Sequence, residues 1–229
     1  TTPLRVALSM REVTNREYPE TRDAISQEWI HLCARQGWVP LLIPNTLVNV
    51  SEYIAQIGAD AVILTGGNDI GPVSGEEKRS DSSSEARDRT ERSLLAHCVK
   101  ARLPVLGVCR GMQMINVFFG GGLVRDLRSH PDVTQKHVAA NHDGALNHPA
   151  LRELAGGDVV STNSYHNQGI TREVLAPELV VIGQSGPVVE AVLHPKCPVV
   201  GVQWHVERSN PAAHLDNALL LQLGCSFKG

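Results

Sequence analysis

Pro104-Val105-Leu106-Gly107-Val108-Cys109-Arg110-Gly111-Met112-Gln113 is the stretch on which the fold turns. Residues 105–108 form an apolar run that reads as a short buried strand, and a helical pattern begins just beyond Cys109. A nucleophile at such a strand-to-helix corner needs small residues two positions before and two after it, because the two backbones pass close there. Gly107 and Gly111 stand at those positions. The corner would lift the thiol clear of the sheet and set it at a helix N-terminus, whose dipole favours thiolate over thiol. A free thiol of pKa about 8.5 is only about 3% ionised at pH 7, so a shift of ~2 units raises the reactive fraction more than tenfold. The competing reading is a cysteine that serves only as a small buried hydrophobe.

Upstream of the corner, residues 5–8 and 38–43 and the run 61–64 read as strands. Residues 21–36 and 50–57 read as helices, with Ile25, Trp29, Leu32 and Cys33 on one face of the first. Residues 10–20 are polar and read as a loop. Strands alternating with helices predict an α/β fold with a mostly parallel central sheet and helices on both faces. Ligands in such sheets sit at the carboxyl ends of the strands. Thr65-Gly66-Gly67-Asn68-Asp69 occupies one such end and Cys109 another. The glycine pair reads either as a tight turn or as a source of backbone N–H groups for a developing oxyanion, with Gly67 N–H and Arg110 N–H as the two donors.

Residues 71–84 are rich in Gly, Ser and charge and read as a surface loop, either a lid or a linker. Residues 85–100 read as a helix in which Arg87 and Glu91 form a surface i, i+4 ion pair. Beyond the corner a helix continues to residue 119. Residues 123–157 then read as a small antiparallel or irregular excursion. Its four histidines, His130, His137, His142 and His148, make no compact metal-binding pair, so no metal site and no cofactor are expected.

Composition narrows the function classes. The 229 residues fit one domain spanning 1–229, and a hydrophobic content of 42% supports a sizeable core. A formal charge of −3, with no basic run interleaved with aromatics, argues against nucleic acid as a partner. No apolar stretch approaches the ~20 residues that span a bilayer, so no membrane association is expected. Five cysteines without C-x-x-C spacing, and an N-terminus without a signal-peptide pattern, point to a reducing cytoplasm. A homodimer is compatible with the sequence.

The second informative stretch is Gly201-Val202-Gln203-Trp204-His205-Val206-Glu207-Arg208. A thiol nucleophile needs a base to take its proton and return one to the leaving nitrogen, and a carboxylate to hold the imidazole tautomer. His205 and Glu207 are two apart, so extended backbone would put both side chains on one side. Between the two stretches, residues 163–169 (Asn163-Ser164-Tyr165-His166-Asn167-Gln168-Gly169) follow a strand and read as a surface turn or as a substrate-facing cluster.

Taken together, the G-x-C-x-G-x-Q corner and the late His-x-Glu make nearly the whole chain resemble the class I glutamine amidotransferase-like family, in its stand-alone gamma-glutamyl hydrolase branch. The resemblance implies a flavodoxin-like α/β sandwich with a small additional β region. It implies a Cys109-His205-Glu207 triad, an oxyanion hole at Gly67 and Arg110, and substrate contacts near Gln113, Tyr165, His166 and Asn68. The implied substrate is a small gamma-glutamyl amide. Val206 replaces the proline usual between His and Glu, which removes only backbone stiffening. Residues 204–208, 22–25 with Trp29, and 42–45 are similar to a narrower branch that hydrolyses gamma-glutamyl-CDP-amidate (CDP-glutamine) in capsule phosphoramidate biosynthesis. Gamma-glutamyl-gamma-aminobutyrate or a related amide is the alternative substrate, and a glutaminase subunit delivering ammonia to a separate synthetase is the alternative function. Arg110, Arg208, Lys78 and Arg79 are the cations available for a diphosphate, if the substrate carries one.

Overall fold

The computed structural model describes residues 2–73 and 82–225. Strand β1 (Arg5–Ser9) is followed by β2 (Arg11–Thr14) and β3 (Thr21–Ala24), which pair as an antiparallel hairpin. Helix α1 (Gln27–Gln36), strand β4 (Val39–Ile43), helix α2 (Val50–Ile57) and strand β5 (Ala61–Leu64) come next. Helix α3 (Glu85–Ala101) leads into strand β6 (Val105–Val108) and helix α4 (Arg110–Phe118). The second half holds β7 (Val138–Leu146), α5 (Pro149–Ala155), β8 (Val159–Tyr165), β9 (Val180–Ser185), β10 (Val188–Leu193), β11 (Val199–Val202) and α6 (Ala213–Cys225).

Among the described residues, nine strands form one sheet in the order β4-β1-β5-β6-β11-β10-β9-β7-β8. The first five run parallel. Numbered by chain order among themselves they read 2-1-3-4-5, the flavodoxin-like order. The remaining four extend the sheet in antiparallel pairs. β5 (AVIL) and β6 (VLGV) are buried at every position, as parallel strands covered on both faces must be. One apolar cluster takes Trp29 and Leu32 of α1 and Leu215 and Leu219 of α6, and the other takes Ile54 of α2, Leu94 of α3 and Met112 of α4. The helices therefore cover opposite faces of the sheet and leave the carboxyl ends of β1, β5, β6 and β11 to converge on one edge.

The structure corrects the reading of the first forty residues. Residues 10–20 are not all loop, and the first helix starts at Gln27 rather than Thr21. The β2–β3 hairpin is exposed or half-exposed along its length, so it shows no apolar alternation. It is held from outside. Asn68 accepts from Glu12 N–H at 2.9 Å and donates to Glu12 C=O at 3.0 Å, while Asp23 accepts from Asn45 at 2.6 Å. The excursion expected at residues 123–157 supplies β7 to the main sheet, so the added β region is larger than expected and continuous with the core sheet.

Candidate active site

Cys109 sits between β6 and α4 with φ 54 and ψ −107, a backbone conformation that costs a side-chain-bearing residue about 1–3 kcal/mol. The neighbouring glycines make the corner sterically feasible. A Cβ on Gly107 would lie 2.6 Å from the Gly111 carbonyl carbon, and one on Gly111 would lie 2.1 Å from Leu64 O. α4 thus packs directly on the end of β5 as well as on β6. Arg110 is the first residue of α4, so its N–H is one of the four that a helix leaves without an intrahelical acceptor.

His205 lies beyond the end of β11 and outside any strand, and Glu207 sits in the turn that follows it, which corrects the strand-based argument for their pairing. The pairing itself holds: His205 Nδ1 and Glu207 Oε1 are 2.6 Å apart, both side chains buried. The carboxylate accepts from Nδ1–H, which leaves Nε2 for the thiol. A Cβ on Gly66 would touch both partners, at 2.9 Å from His205 Cε1 and 3.6 Å from Cys109 Cβ, so the histidine and the cysteine face each other across that glycine. Burial pulls the His205 pKa down. The charge and hydrogen bond of Cys109, joined by those of Glu207, outweigh it and raise the pKa to about 9.

Sequence reasoning missed the groups that hold this arrangement. Asn163 accepts from His205 N–H at 2.8 Å and donates to His205 C=O at 2.9 Å, clamping the residue from both sides. Asp216 of α6 accepts from Trp204 Nε1–H at 2.7 Å and from Asn210 Nδ2–H at 2.8 Å.

The Arg87–Glu91 pair is wholly buried, which corrects its reading as a surface ion pair. The Arg87 guanidinium donates to the carbonyls of Thr65 (2.7 Å), Gly66 (3.1 Å) and Gly67. In a trans peptide the C=O and the following N–H point opposite ways. Drawing three carbonyls onto Arg87 therefore turns the N–H groups of Gly66, Gly67 and Asn68 away from it. Glu91 accepts from Arg87 at 2.9 Å and also from Arg110, which reaches Asp88 as well. The Arg110 side chain is thus engaged with α3, not presented to a phosphate.

A cleft opens beside Cys109, bordered by Gly67, Asn68, Arg110, Gln113, Tyr165 and His166. Gln113 is buried and donates to Gln168 C=O at 3.0 Å. Asn68 borders the cleft, but both atoms of its amide are taken by Glu12 and Arg87. Tyr165 is half-exposed, edge-on to the His205 ring at 5.6 Å and beneath the Arg208 guanidinium at 4.5 Å. The His166 ring turns toward His137. A smaller cleft, which shares Gly67 with the first, is bordered by Arg11, Trp29, Gly66, His205, Glu207 and Arg208. Lys78 and Arg79, and most of the loop 71–84, lie outside the described residues. No helix among the described residues is long and apolar enough to cross a membrane.

The sequence profile of the family described as Peptidase C26 matches residues 6–207. The chain is 30% identical over 204 residues to a glutamine amidotransferase-like protein of Lactococcus lactis, covering 84% of each. It is 28% identical over 209 residues to the gamma-glutamyl-CDP-amidate hydrolase of Campylobacter jejuni, covering 90% of each. Among solved structures, a glutamine amidotransferase from Thermotoga maritima matches with a TM-score of 0.62 at 16% identity, over 100% of this chain and 87% of that one. That last likeness is one of fold.

Proposed function

The chain belongs to the peptidase C26 family and is a cysteine-dependent hydrolase, and on that premise we propose that Cys109, His205 and Glu207 cleave a gamma-glutamyl amide. The observation that carries the proposal is the 2.6 Å His205–Glu207 bond set across Gly66 from a cysteine on a strained corner.

In the proposed reaction the Cys109 thiolate attacks the delta-carbonyl of the glutamyl group. The oxyanion takes hydrogen bonds from Gly67 N–H and Arg110 N–H, an interaction for which each donor is worth about 10²–10³ in rate. Protonated His205, oriented by Glu207, gives its proton to the departing nitrogen as the C–N bond breaks. Water then attacks the glutamyl thioester with His205 as base, releasing glutamate and restoring the thiol. The larger cleft, bordered by Gln113 and Tyr165, takes the glutamyl group.

The leaving nitrogen departs on the side of His205, where Arg11 and Arg208 border the second cleft. Two cations there favour an anionic leaving group, and the similarity to the Campylobacter enzyme supports a nucleoside diphosphoramidate as that group. The test is glutamate release from gamma-glutamyl-CDP-amidate, gamma-glutamyl-gamma-aminobutyrate, a folate polyglutamate and glutamine, with Cys109→Ala as the blank. Preference for the nucleotide conjugate supports the full proposal. Preference for a small amide keeps the reaction and removes the leaving group. Substantial turnover by Cys109→Ala removes Cys109 from the mechanism.

A further inference from the structure

Behind the cleft the structure gathers four buried side chains that the sequence scatters over more than fifty positions: His137, His142, His166 and Glu190. One potential ligand atom from each lies within 4.8 Å of all the others. His137 Nδ1 and His142 Nε2 stand 3.6 and 3.5 Å from Glu190 Oε1. All four residues are more than nine-tenths buried. Among the described residues, His137 Nδ1, both ring nitrogens of His142, His166 Nε2 and both Glu190 oxygens have no hydrogen-bond partner. A single orphaned polar atom in a native interior calls for an explanation, and here six fall on three neighbouring imidazoles and one carboxylate.

Two backbone irregularities aim these side chains at one point. His137 and His142 are five apart, a spacing that would put them on opposite faces of a regular strand. β7 carries a register shift between Val138 and Ala140, with Ala139 at φ 48, and the extra residue brings both rings to the same face. Glu190 occupies a second register shift, between Val189 and Ala191 of β10. The His137 carbonyl accepts from Ser164 Oγ–H and His166 N–H, each at 2.8 Å, which ties the start of β7 to the end of β8. His166 Nδ1 donates to Gln168 C=O at 2.9 Å, so its proton is on Nδ1 and the Nε2 lone pair faces the cluster. A backbone carbonyl fixing the tautomer in this way is the usual outer support of a metal-ligating histidine.

We propose that His137, His142, His166 and Glu190 bind one divalent transition-metal ion of zinc's class. Three imidazoles and one carboxylate make a closed four-coordinate N₃O set of the kind that suits zinc. Ligand atoms of a tetrahedral zinc site lie about 3.3 Å apart. The two Glu190 separations are already close to that, and small side-chain rotations bring in His166. The ion would offset the negative charge that burial disfavours on Glu190 and would satisfy the orphaned lone pairs. It would also pin residues 165–168, the wall of the Cys109 cleft, to β10. The role is one of positioning, with no bond to the reacting atoms.

The test uses the full-length Cys109→Ala protein, so that the nucleophile contributes no ligand. It is stripped with chelator, loaded with Zn²⁺ or Co²⁺, desalted and measured for metal content and cobalt absorption. The proposal expects about one ion per chain and the intense visible bands of four-coordinate Co²⁺ with nitrogen and oxygen ligands. Glu190→Gln or His142→Ala in the same background should retain about tenfold less. Equal retention by parent and Glu190→Gln overturns the proposal, as does a cobalt spectrum of the hydrated ion or of a thiolate complex. Glu190→Gln is nearly isosteric. If His142→Ala fails to fold, that variant and the parent's cobalt spectrum still decide.

Discussion

Arg87 and Glu91, one helical turn apart on α3, form an ion pair with no solvent exposure on either side chain, and Glu91 passes the contact on to Arg110. Burial and the nearby Arg110 pull the Arg87 pKa down to about 10, so the guanidinium stays charged at neutral pH. Burial works against the Glu91 carboxylate, but Arg110 and Arg87 outweigh it and leave its pKa below the usual value. A buried pair of this kind is weak evidence for stability, because desolvation consumes much of the attraction. Its position says more: one end holds the Gly66–Gly67 carbonyls and the other the first residue of α4. Arg87→Lys keeps the charge but cannot span three carbonyls and Glu91 at once. It should lower kcat by on the order of 10² with a smaller change in KM, the pattern of a lost transition-state interaction. Arg87→Ala, which leaves Glu91 with Arg110 alone and removes the buried donors from the Thr65 and Gly66 carbonyls, should also cost about 3–5 kcal/mol in denaturant unfolding. An Arg87→Lys enzyme with unchanged kcat would detach the pair from the glycine loop's function.

Gly111→Ala should fail more severely than Gly107→Ala. The new methyl at Gly111 meets Leu64 O, backbone in a strand buried on both faces, at 2.1 Å. At Gly107 one of the clashing atoms is Ile115 Cδ1, which can move, though the Gly111 carbonyl cannot. Both variants should be destabilised by more than about 3 kcal/mol. Comparing soluble yield and chemical denaturation checks the order.

What could be read in the sequence followed the strength of its apolar pattern. β5, β6 and α2 lie where the periodicity put them, because each buries a continuous or one-sided apolar face. The β2–β3 hairpin could not be read, because its strands bury little and are fixed by Asn45 and Asn68, distant in sequence. The cysteine corner was legible because steric closeness demands glycine at two fixed positions. His205 and Glu207 were paired on a strand geometry they do not have. The histidine cluster was hidden because a one-residue register shift at Ala139 inverts the parity on which face assignment depends. The burial of Arg87 was hidden because i, i+4 spacing looks the same on a surface and in a core.

The proton on His205 offers a direct probe of the proposed triad. Its pKa of about 9 lies above the ordinary 6.5, so the imidazolium persists through neutral pH and is lost as the pH rises through 9. Among the groups that raise it, Cys109 contributes more than Glu207. Cys109→Ala should therefore move the His205 titration, followed by NMR of the ring protons, to lower pH than Glu207→Gln does. Both should fall below the parent. Equal titration in the parent and Cys109→Ala would mean that thiol and imidazole do not interact.

Arg208 stacks on Tyr165 at 4.5 Å and borders the cleft proposed for the leaving group. Arg208→Gln and Arg11→Gln should each raise KM for gamma-glutamyl-CDP-amidate roughly tenfold, about 1.4 kcal/mol, while KM for an uncharged gamma-glutamyl amide stays within about twofold. The selectivity ratio is the readout, since a general disturbance of Glu207, 3.6 Å from Arg208 Nε, would lower kcat for both substrates alike. Equal effects on the two substrates would remove the arginines from leaving-group recognition.

The strain at Cys109 can be measured separately from its chemistry. At φ 54 and ψ −107 any residue with a Cβ is disfavoured, and glycine is not. Cys109→Ala and Cys109→Gly remove the same thiol and differ by one methyl group in a nearly buried position. Glycine loses more backbone entropy on folding, about 0.5–1 kcal/mol, and forgoes the burial of that methyl. Strain relief from the middle of the range of about 1–3 kcal/mol outweighs the entropy and burial terms together, about 1.5 kcal/mol. Cys109→Gly should therefore be the more stable of two inactive proteins, by about 0.5 kcal/mol in denaturant unfolding. A Cys109→Ala protein as stable as Cys109→Gly would show that the corner relaxes once the sulfur is gone, and that the thiol's own contacts hold the backbone in its unfavourable conformation.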